Sequence, residues 1–305
     1  MDTAVAIGNS DGVHLGHQAV LTETRRTAAR QNLNPVALTF DVPPRCLASP
    51  DDTSPRPGCI LSPSAVKASL LRQTVQQVVS VPFSSIRKLD PERFVLRILV
   101  GKLRAAAVIV GEDFRFGAAR AGDVGTLRRL LPTGDVTSVP AVCLEKEPIS
   151  SSRIRTCLRQ GRIEEATALL GRFPVYAGPV DRGNGIGRRL GTPTINLHIS
   201  EEVLVPPDGV YASWCFTANR GFAAAAYVGA RPTFRQTDRR FEVHLLGVVP
   251  PTFSPDFVEV HLLSRIRPDH RFPSQHALQQ QIRADLARIE QVFEDPFRPP
   301  RAVLG

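Results

Sequence analysis

Two histidines stand three residues apart in "GNSDGVHLGH" (8–17), directly behind a turn rich in glycine and acid. The residues upstream form a short apolar strand ending at Gly8, and helical spacing begins near His14. The pair therefore sits in the first turn of a helix. Unpaired backbone N–H groups there, together with the helix dipole of about half a positive charge, favour an anion. His14 and His17 share one helix face and can both donate to phosphate oxygens, while Gly16 lets a nucleotide approach the backbone. A metal would need a third ligand, and none stands at metal spacing nearby. A helix start with incidental histidines is the plain alternative. The surroundings favour phosphate.

A second stretch, "ISSSRIR" (149–155), places hydroxyls at a helix start ahead of Arg153 and Arg155. Alone it reads as a good N-cap or as another anion-binding terminus. Together with the first stretch in one domain, it suggests a triphosphate gripped from two sides.

The elements that must position these residues alternate through the first half. Apolar runs at 3–8, 35–40, 78–83, 105–111 and 136–142 read as buried strands. Helical patterns fall at 14–31, 62–74 (Ser62 as N-cap, Pro63 at its first position), 90–103 (capped by Asp90) and near 121–131. Almost wholly apolar strands alternating with helices imply a doubly wound parallel sheet, an α/β domain. The stretch 41–59, rich in proline, serine and aspartate, interrupts the pattern as a substrate loop or a disordered one. Two further helical segments end at "ALLGR" (168–172), where Gly171 suits a helix C-terminal cap. From residue 175 short β-like runs follow at even spacing, as in a small antiparallel β-barrel, and an amphipathic helix (274–293) closes the chain. The boundary falls near 172–174. "EVHLL" occurs at both 242–246 and 259–263, which reads as two adjacent strands and not an internal repeat.

With 38 basic and 29 acidic residues the chain carries +9, which points to anionic partners, either nucleic acid or phosphorylated small molecules. The basic residues are spread without a run, so most are a solvated surface. No window approaches the roughly 18 apolar residues of a membrane helix, and the N-terminal stretch has no secretory pattern. The five scattered cysteines, none in CxxC spacing, read as reduced thiols of a cytoplasmic protein.

These stretches resemble, in order, the motifs of bacterial bifunctional riboflavin kinase/FAD synthetases. "GNSDGVHLGH" and "ISSSRIR" are similar to the GxFDGxHxGH and ISSTxxR motifs of the FMN adenylyltransferase module, and "VGEDFRFG" (110–117) matches a further stretch of it. "GRRLGTPTINL" (187–197) resembles the GxxLGxPTxNL signature of the kinase module, and "DGVYA", "GARPTF" and "FEVHLL" follow in the family's order. The chain departs from the pattern at Ser10, Pro43, Tyr227 and Gly247, where the family has an aromatic residue, histidine, asparagine and aspartate.

The resemblance implies an adenylyltransferase over 1–172 and a riboflavin kinase over 173–305. It implies Glu242 as the kinase base, and His14, His17 and Arg155 as charge stabilisers of adenylyl transfer. Gly8, Asn9, Asp11, Gly16, Ser150, Ser151, Gly187, Gly191, Thr194 and Asn196 would meet ATP and its phosphates. Thr194 and Asn196 would also hold Mg²⁺, and Asp113 and Phe116 would contact the flavin. By itself Phe116 reads more readily as core, and Thr194, Asn196 and Glu242 outside their motifs would read as ordinary strand and turn residues. The partners implied are ATP, riboflavin, FMN and FAD, with no nucleic acid, no membrane and at most weak self-association. The alternatives are a single-activity relative with one half decayed and a basic nucleic-acid-binding protein.

Overall fold

The computed structural model describes all residues except 50, 51, 53, 182–191, 218–219, 231–238, 248–254, 295–299 and 305. Its contacts divide the chain into two compact units, Met1–Ser151 and Ser152–Gly305.

The first unit is built on five parallel strands in the order β3-β2-β1-β4-β5. They are β1 (Thr3–Ile7), β2 (Asn34–Phe40), β3 (Gln77–Val81), β4 (Ala105–Gly111) and β5 (Val136–Val139). Helices α1 (Leu15–Gln31), α2 (Ser64–Arg72), α3 (Phe83–Ile86), α4 (Pro91–Phe94) and α5 (Val124–Leu130) connect them. A short hairpin, β6 (Cys143–Leu144) and β7 (Glu147–Pro148), follows β5.

The central strand β1 is buried along its whole length, because both faces are covered. Val5 and Ile7 point into a large core with Val108, Val110, Leu99 and Phe94. On the opposite face Ala4 and Ala107 meet Ala28 of α1. Alanine there allows the helix backbone to come close, which explains why the strand pattern is continuous rather than alternating.

Asp90 caps α4 as the sequence indicates, its carboxylate accepting the Arg93 N–H at 2.8 Å, and the helix then widens into a π-helical stretch, Val95–Lys102. Ser62 does not cap α2. Pro63 is extended at φ −50°, ψ 148°, so the helix begins one residue later, at Ser64. The cysteine reading also needs correction. Cys46 and Cys59 form a disulfide with their Cα atoms 5.6 Å apart, while Cys143, Cys157 and Cys215 are free. A 3₁₀ turn lies at Pro44–Cys46, the Arg56 N–H donates to the Cys46 carbonyl, and Gly58 adopts φ +62° just before Cys59. The sequence spacing of the two thiols gave no sign of pairing.

The second unit opens with α6 (Ser151–Arg159) and α7 (Ile163–Leu170), the latter ended by Gly171 in the left-handed region at φ +70°. A closed antiparallel barrel follows, in the order β10-β11-β12-β9-β8-β13. Its strands are β8 (Val175–Asp181), β9 (Ile195–Leu197), β10 (Gly209–Thr217), β11 (Arg220–Ala230), β12 (Arg239–Leu245) and β13 (Phe257–Pro268). The two EVHLL copies lie on β12 and β13, but these strands are not neighbours: β9 and β8 pair between them to close the barrel. The terminal helix α8 (Gln275–Glu294) packs Ile289 against Val210, Ala212 and Leu263 on the outside of the barrel. Asp285 of α8 accepts two bonds from Arg267 Nε, at 2.8 and 3.0 Å, so its buried charge is paired.

Candidate active sites

In the first unit a cavity of about 360 Å³ opens at the carboxyl ends of β1, β4 and β5. Open parallel sheets bind ligands at that edge. Gly8, Asn9, His14, Gly16, His17, Asp113, Ser150 and Ser151 all line it, so most of the residues selected by motif come together in space.

The turn ahead of α1 uses backbone conformations that side chains seldom adopt, with Ser10 at φ +52°, Gly12 at +82° and Val13 at +39°. His14 is the N-cap residue of α1 in extended conformation, and its carbonyl accepts the Gln18 N–H. The His14 and His17 rings stack with centroids 3.7 Å apart. A Cβ at Gly16 would come within 3.2 Å of the His14 ring, closer than side chains usually pack, so glycine gives the imidazole room.

Asp11 does not line the cavity; it is buried and holds the turn. Its carboxylate accepts the Leu61 N–H, and its carbonyl accepts the Ser151 hydroxyl, both at 2.9 Å. Asn9 is fixed by its carbonyl, which takes the Thr39 hydroxyl at 2.8 Å. Its side-chain oxygen is buried without a hydrogen-bond partner among the described residues.

One predicted residue, Phe116, lies elsewhere. Phe116 is 6% exposed and belongs to the sheet core, 5.5 Å from the Phe94 ring and 5.7 Å from Phe114. Gly122 leaves room for its ring, since a Cβ there would clash with it. Phe114, two residues earlier, lines the cavity instead, as does Arg45 from the disulfide loop. Neither gave a local signal: Phe114 stands two residues from Phe116, and alternation alone would send both rings to one side. Arg155 is buried on α6, which the contacts group with the second unit.

In the second unit, register assembles the site. Asp181, Asn196, Glu242 and Tyr227 stand directly opposite one another across β8, β9, β12 and β11 and so share one face of the barrel wall. The Thr194 hydroxyl lies 3.4 Å from one Glu242 oxygen, and Arg240 holds the other at 2.9 Å. His244 Nδ1 contacts the Pro193 carbonyl at 2.9 Å, which fixes the segment carrying Thr194. Burial, aided by the Asp269 carboxylate that its hydroxyl meets, pushes the Tyr227 phenol up to about 12. Neither Arg240 nor Tyr227 was singled out as functional from sequence. Gly187 and Gly191 lie outside the described residues.

Glu259, the acid of the second EVHLL copy, has a different environment. It is buried, bonded to His261, and accepts the Val303 and Leu304 N–H groups at 2.6 and 2.8 Å. It holds the C-terminal tail against β13.

A histidine-bearing helix terminus that opens on a cavity, and a carboxylate beside a threonine and an asparagine, are arrangements of enzymes that transfer phosphate groups. Family models agree unit by unit: the FAD synthetase model matches residues 1–153, and the riboflavin kinase model matches 170–293. A bifunctional riboflavin kinase/FMN adenylyltransferase of Buchnera aphidicola subsp. Schizaphis graminum is 32% identical over 96% of this chain and 94% of its own length. The same-named protein of Escherichia coli K12 is 32% identical over 95% and 92%. A crystal structure described as a macrolide-efflux protein from Streptococcus pneumoniae has a TM-score of 0.84 at 29% identity, covering 95% of this chain and 94% of that one. The chain belongs to the bifunctional riboflavin kinase/FMN adenylyltransferase family. No helix among the described residues is long and apolar enough to cross a membrane.

Proposed function

We propose that this protein phosphorylates riboflavin to FMN with ATP in its second half and adenylylates FMN to FAD, releasing pyrophosphate, in its first. The observation that carries this reading is the presence of two separate sites, each suited to one of the two transfers. The functional division is placed at 172/173, after the αL cap at Gly171.

In the kinase the riboflavin 5′-hydroxyl attacks the γ-phosphate of ATP, and a carboxylate must receive the hydroxyl proton. Glu242 takes that role. Arg240 orients its carboxylate, and Thr194 lies against the other oxygen. Thr194 and Asn196 offer hard oxygen donors beside a carboxylate, a set that suits Mg²⁺. When bound, the ion would neutralise phosphate charge. The segment carrying Gly187 and Gly191 would cover the nucleotide.

In the adenylyltransferase the FMN phosphate attacks the α-phosphate, and no covalent enzyme intermediate is required. His14 and His17 stabilise the charge that develops, with Gly8, Asn9, Gly16, Ser150 and Ser151 completing the phosphate cradle. Arg155 is assigned to the same chemistry through the motif it shares with the two serines, and Asp11 acts by holding the turn. Asp113 contacts the flavin, and Phe114 presents its ring at the cavity with Phe116 packed behind it. The enzyme works in the cytoplasm on small molecules alone.

Incubating the folded protein with riboflavin and Mg·ATP and separating the products by chromatography tests this directly. FMN and then FAD are expected. FMN alone, or FAD only from supplied FMN, would mean a single surviving activity. Tight RNA binding at about 0.2 M salt with riboflavin untouched would point to a nucleic-acid protein.

A further inference from the structure

The disulfide joins two parts of the chain that each reach the first unit's cavity. On one side, Arg45 precedes Cys46 and lines the cavity. Its carbonyl accepts the Arg56 guanidinium at 2.7 Å, and the next carbonyl, of Cys46, accepts the Arg56 N–H at 2.7 Å. On the other side, Leu61 stands two residues beyond Cys59 and donates to the Asp11 carboxylate, whose residue in turn binds Ser151. The sulfur bridge thus connects the arm carrying Arg45 to the turn that carries the histidines.

We infer that Cys46 and Cys59 form a reversible thiol switch that holds Arg45 at the adenylyltransferase cavity when oxidised and releases it when reduced. This inference rests on the adenylyltransferase reading above. In the cytoplasm, where the proposed function places the enzyme, a disulfide is usually transient and catalytic or redox-sensing.

The base of the loop does not depend on the bridge. Lys67 of α2 donates to the Phe40 carbonyl at 2.5 Å at the end of β2. Reduction therefore loosens the arm that carries Arg45 and leaves the sheet intact. The exchange partner is a dithiol. One of its thiolates attacks the Cys59 sulfur, the more accessible of the pair (7% exposed against 0% for Cys46), and Cys46 leaves as thiolate and takes a proton. The partner's second thiol then displaces Cys59. The protein gains two electrons and two protons, and the dithiol becomes a disulfide. A disulfide oxidant reverses both steps.

The test uses the full wild-type chain, poised with dithiothreitol or with oxidised glutathione, with alkylation and mass spectrometry reporting the state of each cysteine. FAD formation from FMN and Mg·ATP is measured in both states beside FMN formation from riboflavin. The reduced form is expected to lose about tenfold in kcat/KM for FAD, because a displaced positioning side chain costs at least that much, with FMN formation unchanged. Cys46→Ser with Cys59→Ser should match the reduced enzyme and ignore oxidant, whereas Cys143→Ser should keep the response. Equal FAD formation in both verified states would overturn the switch, as would alkylation of Cys46 and Cys59 after oxidation. An oxidised enzyme that makes no FAD under any condition would instead overturn the adenylyltransferase reading.

Discussion

The first unit builds its site at one helix end, and the second builds it across four strands. At the helix end the recognition groups are local: a glycine-containing turn, the N-terminal end of α1, and two histidines stacked within four residues. On the barrel wall the groups come from segments far apart in sequence. Thr194 and Glu242 are 48 residues apart and meet only because β9 pairs with β12 in one register. A one-residue slip would turn Glu242 to the other face. The helix-end site should therefore tolerate change elsewhere in its sheet, whereas the barrel site should depend on everything that fixes strand pairing.

The largest expected effect tests the barrel site. Glu242→Gln keeps the shape but removes the base, and FMN formation should fall by about 10²–10⁴-fold with FAD formation from supplied FMN unchanged. Steady-state rates of both reactions check this. A Gln variant with normal kinase turnover would remove Glu242 from the chemistry.

Next comes the other EVHLL acid. Glu259→Gln should cost the second unit about 1.5–3 kcal/mol, the usual loss for hydrogen bonds to a charged group, seen as a lower Tm. Burial alone would raise the Glu259 carboxyl, but the His261, Val303 and Leu304 donors outweigh it and hold the group below its ordinary value of 4.5. A carboxylate whose folded pKa is depressed stabilises fully above its unfolded pKa and loses that contribution as pH falls through the folded value. Thermal melts below about pH 4.5 should thus show wild type losing stability faster than the Gln variant, with the two curves converging. Parallel curves would mean the carboxylate is not what holds the tail.

The smallest effect sharpens the contrast from the first unit. Asp123 caps α5 through the Thr126 N–H at 2.8 Å and does not line the cavity of the first unit. Asp123→Ala should slightly lower the midpoint of a thermal or urea melt, as loss of a helix N-cap does, and leave FMN formation untouched. A change in kinase rate would mean that the two units are not independent.

The same contrast explains what could be read from the sequence. The α/β half, the barrel and its closing helix follow from apolar periodicity, and the helix-end site follows from "GNSDGVHLGH" because glycine, acid and histidine act within one turn. Thr194, Asn196 and Glu242 were reached only through resemblance, because cross-strand register has no local signature. For the same reason the two EVHLL strands were wrongly placed side by side: barrel closure inserted β9 and β8 between them. The Cys46–Cys59 pair was missed because a loop's return path is not written in its composition. Ser62 was displaced as a cap by the extended backbone of Pro63.

The most direct test of two separate sites is the pair His14→Ala and His17→Ala made in one chain, with FMN and FAD yields measured beside a thermal melt. Removing one transition-state donor typically costs about 10²–10³ in rate, so FAD formation should fall at least that far while FMN formation stays close to wild type. A folded variant that still makes FAD normally, or that loses both products together, would contradict the account.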